Sequence, residues 1–270
     1  MTAIFSARSF YCFPFGEPLR KVIQTDRTPK KVFVLGVYAS AVHARWVGPD
    51  GKTIVTALAV ASEPEIFWCG NNAEEIVKGI GIPEEVGHLE PAARTLNGPS
   101  GSALDKLYLE PLGFSRKDVW LCDLMPESRL NPNQKNAIKR HYNPLRAKLN
   151  LPKASIPSFS QNEIDNPTRR QEILEELLES HAEMLILLGD MPIRHFLNHF
   201  ADRKGTLDDF VNAPDSFYGK VHELTIARKP FHVLPLCHPR QAQRLGASSK
   251  KWYDLHQEWI KNMNNKNRTE

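Results

Sequence analysis

Five short apolar runs constrain this chain most: KKVFVLGV at 30–37, TIVTALAVA at 53–61, DVWLCDLM at 118–125, EMLILLGD at 183–190 and FHVLPLCH at 231–238. Most are continuous rather than alternating, the pattern of strands covered on both faces. Helical patterns lie between them. SGSALDKLYLEPLG starts at a candidate cap, Ser100, and stops at Gly113. NPTRRQEILEELLES offers Asn166 as cap, Pro167 in the first turn, and one apolar stripe of Ile173, Leu174, Leu177 and Leu178. DMPIRHFLNHF opens a third helix with Asp190 and Pro192, and SSKKWYDLHQEWIKNM forms a fourth. Strands alternating with helices predict a three-layer α/β/α fold around a mainly parallel sheet. The second run differs, because the turn residues in RWVGPDGKTIV suit an antiparallel or edge excursion. Residues 71–98 and 126–166 read as long surface excursions, and the tail NMNNKNRTE as frayed.

A chain of 270 residues with 41% hydrophobic content can bury one large core, so a single domain over 1–270, with its core at about 30–262, is expected. The formal charge of +4 permits a polyanionic partner without demanding one. The basic stretches RKVIQTDRTPKK and KNAIKRHYNPLRAKLNLPK read individually as solvated faces. Cysteines 12, 69, 122 and 237 form no CxxC pair, and Cys122 and Cys237 sit inside apolar runs, as small buried hydrophobes do in a reducing compartment. No apolar stretch has the length of a membrane span, and the opening residues lack the pattern of a secretory leader. A cytoplasmic monomer without cofactor or metal is the expectation.

In an open parallel sheet the C-terminal strand ends share one rim, where ligands bind. Gly36, Asp123, the Gly189–Asp190 pair and His238 with its Pro-Arg-Gln sequel all fall at such ends. Several familiar motifs are excluded. GPDGKT has Trp46 where a P-loop needs its leading glycine, NGPSGSA lacks the spacing of a nucleophile elbow, and His195 with His199 lacks a third metal ligand. No dinucleotide fingerprint follows the first strand.

Taken in order, NGPSGSALDKLYLEPLGFSRKDVWLCDLMP (97–126), ILEELLESHAEMLILLGDMPIRHFL (173–197) and VLPLCHPRQAQ (233–243) resemble the uracil-DNA glycosylase superfamily, with VFVLGVYASA (32–41) standing where the water-activating loop belongs. The resemblance implies an enzyme that flips a base out of DNA, stacks it, reads its pairing edge and hydrolyses its glycosidic bond. It implies that His238 stabilises the leaving base, that Asp123 reads it, and that Gly36, Tyr38, Ser40, Leu96, Gly98 and Ser100 surround it. Pro239, Arg240 and Gln241 then sit at the nucleic acid, holding the stack or the flanking phosphates.

Three departures follow. GVYAS holds no carboxylate to activate water, which leaves His43 or Ser40 as candidates. Asp123 replaces an amide, and an ionised carboxylate only accepts, so it suits a base edge rich in N–H donors better than uracil. Leu96 replaces an aromatic ring that Phe67 or Trp68 can supply from another loop. The cysteine ligands of the family's iron-sulfur branch are not reproduced. Three functions stay open: a glycosylase-like hydrolase, a nucleic-acid or nucleotide-binding module of the same fold that has lost hydrolysis, and, with no motif behind it, an unrelated small-molecule α/β hydrolase using Ser40 and His43 at the same rim.

Overall fold

The computed structural model describes residues 11–245 and 250–266, apart from the Gln161 side chain. Eight strands run in the order β1 (Val32–Tyr38), β2 (Ala41–Val47), β3 (Thr53–Ser62), β4 (His88–Pro91), β5 (Val119–Met125), β6 (Met184–Leu188), β7 (His222–Ile226) and β8 (Lys229–Leu236). They form two sheets. The larger has the order β5-β1-β6-β8-β7, with the first four strands parallel and β7 antiparallel at one edge. The smaller is antiparallel, in the order β3-β2-β4.

The larger sheet is what the continuous apolar runs dictate. All seven residues of β5 and the first five of β1 are buried, as strands sandwiched between layers must be. The helix Pro167–Glu179 is capped by the Asn166 side chain, which accepts from the Thr168 and Arg169 N–H groups. It buries Ile173, Leu174 and Leu177 in the same core as Phe33, Leu35 and Trp120. Trp252 and Trp259 of the helix Lys250–Lys266 enter that core too, so the arrangement is compatible with three α/β/α layers. The expected last helix is present from residue 250; its proposed start at Ser248 and the end of the tail lie outside the described residues, and the chain is helical through Lys266. No helix among the described residues is long and apolar enough to cross a membrane.

The GPDGK turn makes the antiparallel hairpin expected of it. Gly48 N–H donates to Lys52 O at 2.8 Å, the Asp50 side chain accepts from Lys52 N–H, and Gly51 takes a positive φ. Residues 71–98 and 126–166, expected as surface excursions, instead build a second core over the small sheet. Val77, Ile80, Val86, Ile138, Tyr142 and Ile156 pack there against Trp46, Leu58 and Trp68. A three-stranded sheet cannot bury its own apolar face, and these segments supply the cover. The Gln134 amide extends the cover by bonding the Ala57 carbonyl and the Ala59 N–H of β3.

One helix start is corrected. The cap of Pro99–Leu104 is Gly98 at φ +69°, not Ser100. The reason is a backbone-to-backbone approach by the segment that follows β3. A Cβ on Gly98 would lie 2.2 Å from Gly70 N, and one on Gly101 would lie 2.0 Å from Phe67 O. The glycines of NGPSG thus seat the 66–71 loop on the helix. Gly101→Ala is expected to cost about 1–3 kcal/mol or more in urea unfolding, as overpacking does. Gly79→Ala, whose Cβ meets nothing closer than 3.4 Å, is the control expected to be near neutral; equal effects at both sites would contradict this account.

Candidate functional site

The parallel register of β1 and β5 places Gly36 opposite Asp123. Because Gly36 has no side chain, the Asp123 carboxyl and the Phe67 ring both reach its backbone: a Cβ there would lie 2.3 Å from Asp123 Oδ1 and 2.6 Å from Phe67 Cζ. Phe67 holds φ +53°, a conformation that non-glycine residues seldom adopt. Its carbonyl is held by the Arg116 guanidinium, which is itself paired with Asp105 at 2.8 Å. Phe67 is therefore the aromatic beside the expected base-reading residue. Trp68 instead turns into the second core, where its indole donates to Asn71 O. Leu96 is 39% exposed.

A second carboxylate joins the first. Glu63 follows directly on β3, is only 4% exposed, and accepts the Ser40 N–H at 2.8 Å. Burial pushes its pKa up to about 8, with the Asp123 charge adding to the rise and the Ser40 and Trp68 N–H groups opposing it. Asp123, 3% exposed, is raised to about 7 by burial against the pull of Arg169. Arg169 does not neutralise that carboxyl. It donates to the Asp123 backbone carbonyl at 2.9 Å and to Cys122 Sγ, and its ion pairs go to Glu172 and Glu176. Two buried carboxyls of unmatched charge are an arrangement typical of acid–base sites. Glu63 escaped the sequence reading because it arrives from the antiparallel hairpin rather than from the loop after β1. Its one signal in the sequence is an acidic residue ending an otherwise apolar strand.

His238 sits where β8 meets the short helix Pro239–Ala242. Its Nδ1 accepts the Arg240 backbone N–H at 3.2 Å, while the His238 backbone N–H donates to Gln241 Oε1 at 3.0 Å. An Nδ1 that accepts assigns the proton to Nε2, making the ring a neutral donor. Burial keeps it neutral by lowering its pKa to about 4, with Arg240 contributing. The preceding peptide is clamped. Tyr108 donates to Cys237 O at 2.8 Å, Cys237 N–H donates to Tyr218 Oη at 3.0 Å, Tyr218 donates to His256 Nδ1 at 2.7 Å, and His256 Nε2 donates to Leu107 O. Gly189, at φ +90°, brings its backbone against His238.

Two adjoining cavities open along this rim and share Val37 and Met191. One, of about 370 Å³, is walled by Gly189, Asp190, His238, Arg240 and Gln241. The other, of about 610 Å³, is bounded by Tyr38, Leu130, Lys135, Ser158 and Phe159. Gly36 and Asp123 line neither cavity, so the strand-end residues fall into two neighbouring groups rather than around one pocket.

Other expected residues are placed as follows. Ser40 holds Glu63 through its backbone. His43 is on strand β2, and its Nδ1 is buried without a hydrogen-bond partner. Burial lowers its pKa to about 4, against the Ala41 and Leu96 backbone groups. The buried Asn97 amide ties His43 to the 92–97 loop by bonding both its N–H and its carbonyl. Gly98 and Ser100 belong to the helix start described above. Pro239 is buried in the first turn of its helix, Gln241 closes the cap, and Arg240 is exposed at the rim.

No family model matches the chain, and no curated protein matches it significantly.

Raised carboxyls stabilise the fold below their unfolded pKa values near 4 and lose that contribution as pH rises through about 7 and 8. The depressed histidines act oppositely, below pH 6.5. Between pH 6.5 and 8.5 the melting temperature of the wild type is therefore expected to fall, and Glu63→Gln to flatten that fall. Parallel slopes for the two proteins would contradict the buried carboxyl pair.

Proposed function

We propose that this protein hydrolyses the N-glycosidic bond of a flipped, deaminated or damaged base in DNA, on a uracil-DNA glycosylase-like fold. The observation that carries the reading is the buried Glu63–Asp123 pair at the ends of β3 and β5. It provides the carboxylate that the loop after β1 lacks. In this reading Glu63 takes a proton from water as the water oxygen attacks the anomeric carbon. The carbon–nitrogen bond breaks, and the electron pair leaves with the base. His238 Nε2–H donates a hydrogen bond to the departing base oxygen, where the charge gathers. A neutral donor fits this role, because its proton is held and not released at working pH.

A base with pKa about 8 is close to the operating range that proton transfer favours. Asp123, ionised above about pH 7, accepts from a base edge that presents N–H donors. Phe67 is the aromatic surface beside Asp123. One observation favours the alternative of a binding module: Asp123 lines neither rim cavity, so it stands apart from the one that holds His238. The Phe67 ring and the Asp123 carboxyl fill the space above Gly36, so a base reaches Asp123 only if the Phe67 ring turns aside on its fixed backbone.

The test is a set of oligonucleotides carrying uracil, hypoxanthine, xanthine or a plain mismatch, scored for abasic sites. Release of one modified base is expected, rising with pH through about 8. Glu63→Gln is expected to slow it by about 10²–10⁴-fold, and Asp123→Asn to move the preference towards uracil. Binding without release by the wild type, abolished in His238→Ala, identifies a binding module instead. Neither binding nor release would sink both readings.

A further inference from the structure

The larger cavity and the basic segment beside it are not used by the chemistry proposed above. Residues 132–149 form one run of helical turns, in which Lys135, Lys139, Arg140, Arg146 and Lys148 are all exposed. No acidic residue occurs anywhere in 131–150, and none of these five cations forms an ion pair among the described residues. On the opposite side Ile138 and Tyr142 anchor the segment in the second core, so its charge is held on a fixed surface. Lys135 also lines the cavity of about 610 Å³, where the stripe meets two aromatic rings.

Those rings are Tyr38, 38% exposed, and Phe159, 36% exposed. Their centroids stand 5.9 Å apart at 46°, a tilted pair whose outer faces remain partly exposed. Leu130 and Met191 provide the apolar floor. Val37 and Met191 are walls of both this cavity and the one that holds His238. Exposed aromatics next to an unpaired basic track are the two parts of a surface for single-stranded nucleic acid: base faces stack on rings and phosphates follow the charge.

We infer that the protein engages single-stranded DNA, with the base next to the flipped nucleotide stacked at Tyr38 and Phe159 and the phosphates beyond it running over 132–149. This rests on the glycosylase reading for the position of the flipped base. A duplex fits poorly, because a second, adjacent base would have to be unpaired and unstacked as well, at a further cost of a few kcal/mol. A single strand is already open.

The experiment is fluorescence anisotropy with an unmodified, dye-labelled single strand and the matching duplex, across a salt series. Single-strand binding at least tenfold tighter than duplex binding is expected. Lys139→Ala and Arg146→Ala are each expected to reduce the steepness of the log–log salt dependence by about 0.7. Phe159→Ala is expected to weaken single-strand binding by about five- to a hundredfold while leaving the salt dependence unchanged. Thermal unfolding of each variant checks that the fold survives; Phe159→Leu, which keeps the apolar contact and loses the flat face, replaces Phe159→Ala if that variant is unfolded. Duplex binding equal to single-strand binding, or wild-type affinity in the charge and ring variants, overturns the proposal. Binding to unmodified DNA, read beside base release from the modified oligonucleotides, separates the two ideas. Single-strand binding without any base release removes the hydrolase and leaves this surface, whereas release from duplex by a protein that ignores single strands removes this surface alone.

Discussion

The burial of the Asp123 carboxyl against Gly36 is the constraint on which the rest of the site depends. A parallel register puts the two residues side by side, and the absent side chain at Gly36 gives the carboxyl a place to lie. No cation is spent on it, since Arg169 turns its charge to Glu172 and Glu176. A buried acid without a matched cation stays partly protonated near neutrality, and it raises any acid brought beside it. Glu63 is brought beside it, and the Asp123 charge adds to the rise that burial gives Glu63.

This coupling depends on two cores. The larger sheet supplies Gly36, Asp123 and His238 from its parallel strand ends, and the smaller sheet delivers Glu63 and Phe67 from the end of its longest strand. The glycines of the 97–101 stretch lock the two units together, because only a bare backbone lets the 66–71 loop approach the helix so closely. The tyrosine clamp on Cys237 has a similar purpose on the imidazole side. It fixes the peptide that precedes His238 and so holds the ring nitrogen towards the rim.

Much of the larger sheet was legible because its strands are continuous apolar runs and its helix at 167–179 announces its cap and stripe. Strand β7 was not. It alternates in and out over only five residues, and it joins β8 through Ala227 and Arg228, both at positive φ, a turn usually marked by glycine or asparagine. The second core stayed hidden for a different reason: its apolar residues are scattered across segments whose prolines and polar residues resemble loops. In the site, the parallel runs place Asp123 and His238 at strand ends of one sheet, but do not give the separation that leaves Asp123 outside the cavity of His238. Glu63 could not be placed, because its partner Ser40 lies 23 residues away and their contact depends on the hairpin between them. His43, a candidate to activate water, lies within β2, which follows β1 with only Ala39 and Ser40 between them.

The most direct test of the carboxyl pair is a pH titration by ¹³C NMR of protein labelled at the aspartate and glutamate side-chain carboxyls. Two resonances are expected to keep their protons far above the ordinary carboxylate range and to titrate near 7 and 8. In Asp123→Asn the Glu63 signal is expected to move towards a lower pKa, since the charge beside it is gone. Ordinary titration of both groups near pH 4, or a Glu63 signal indifferent to Asp123, would contradict the account.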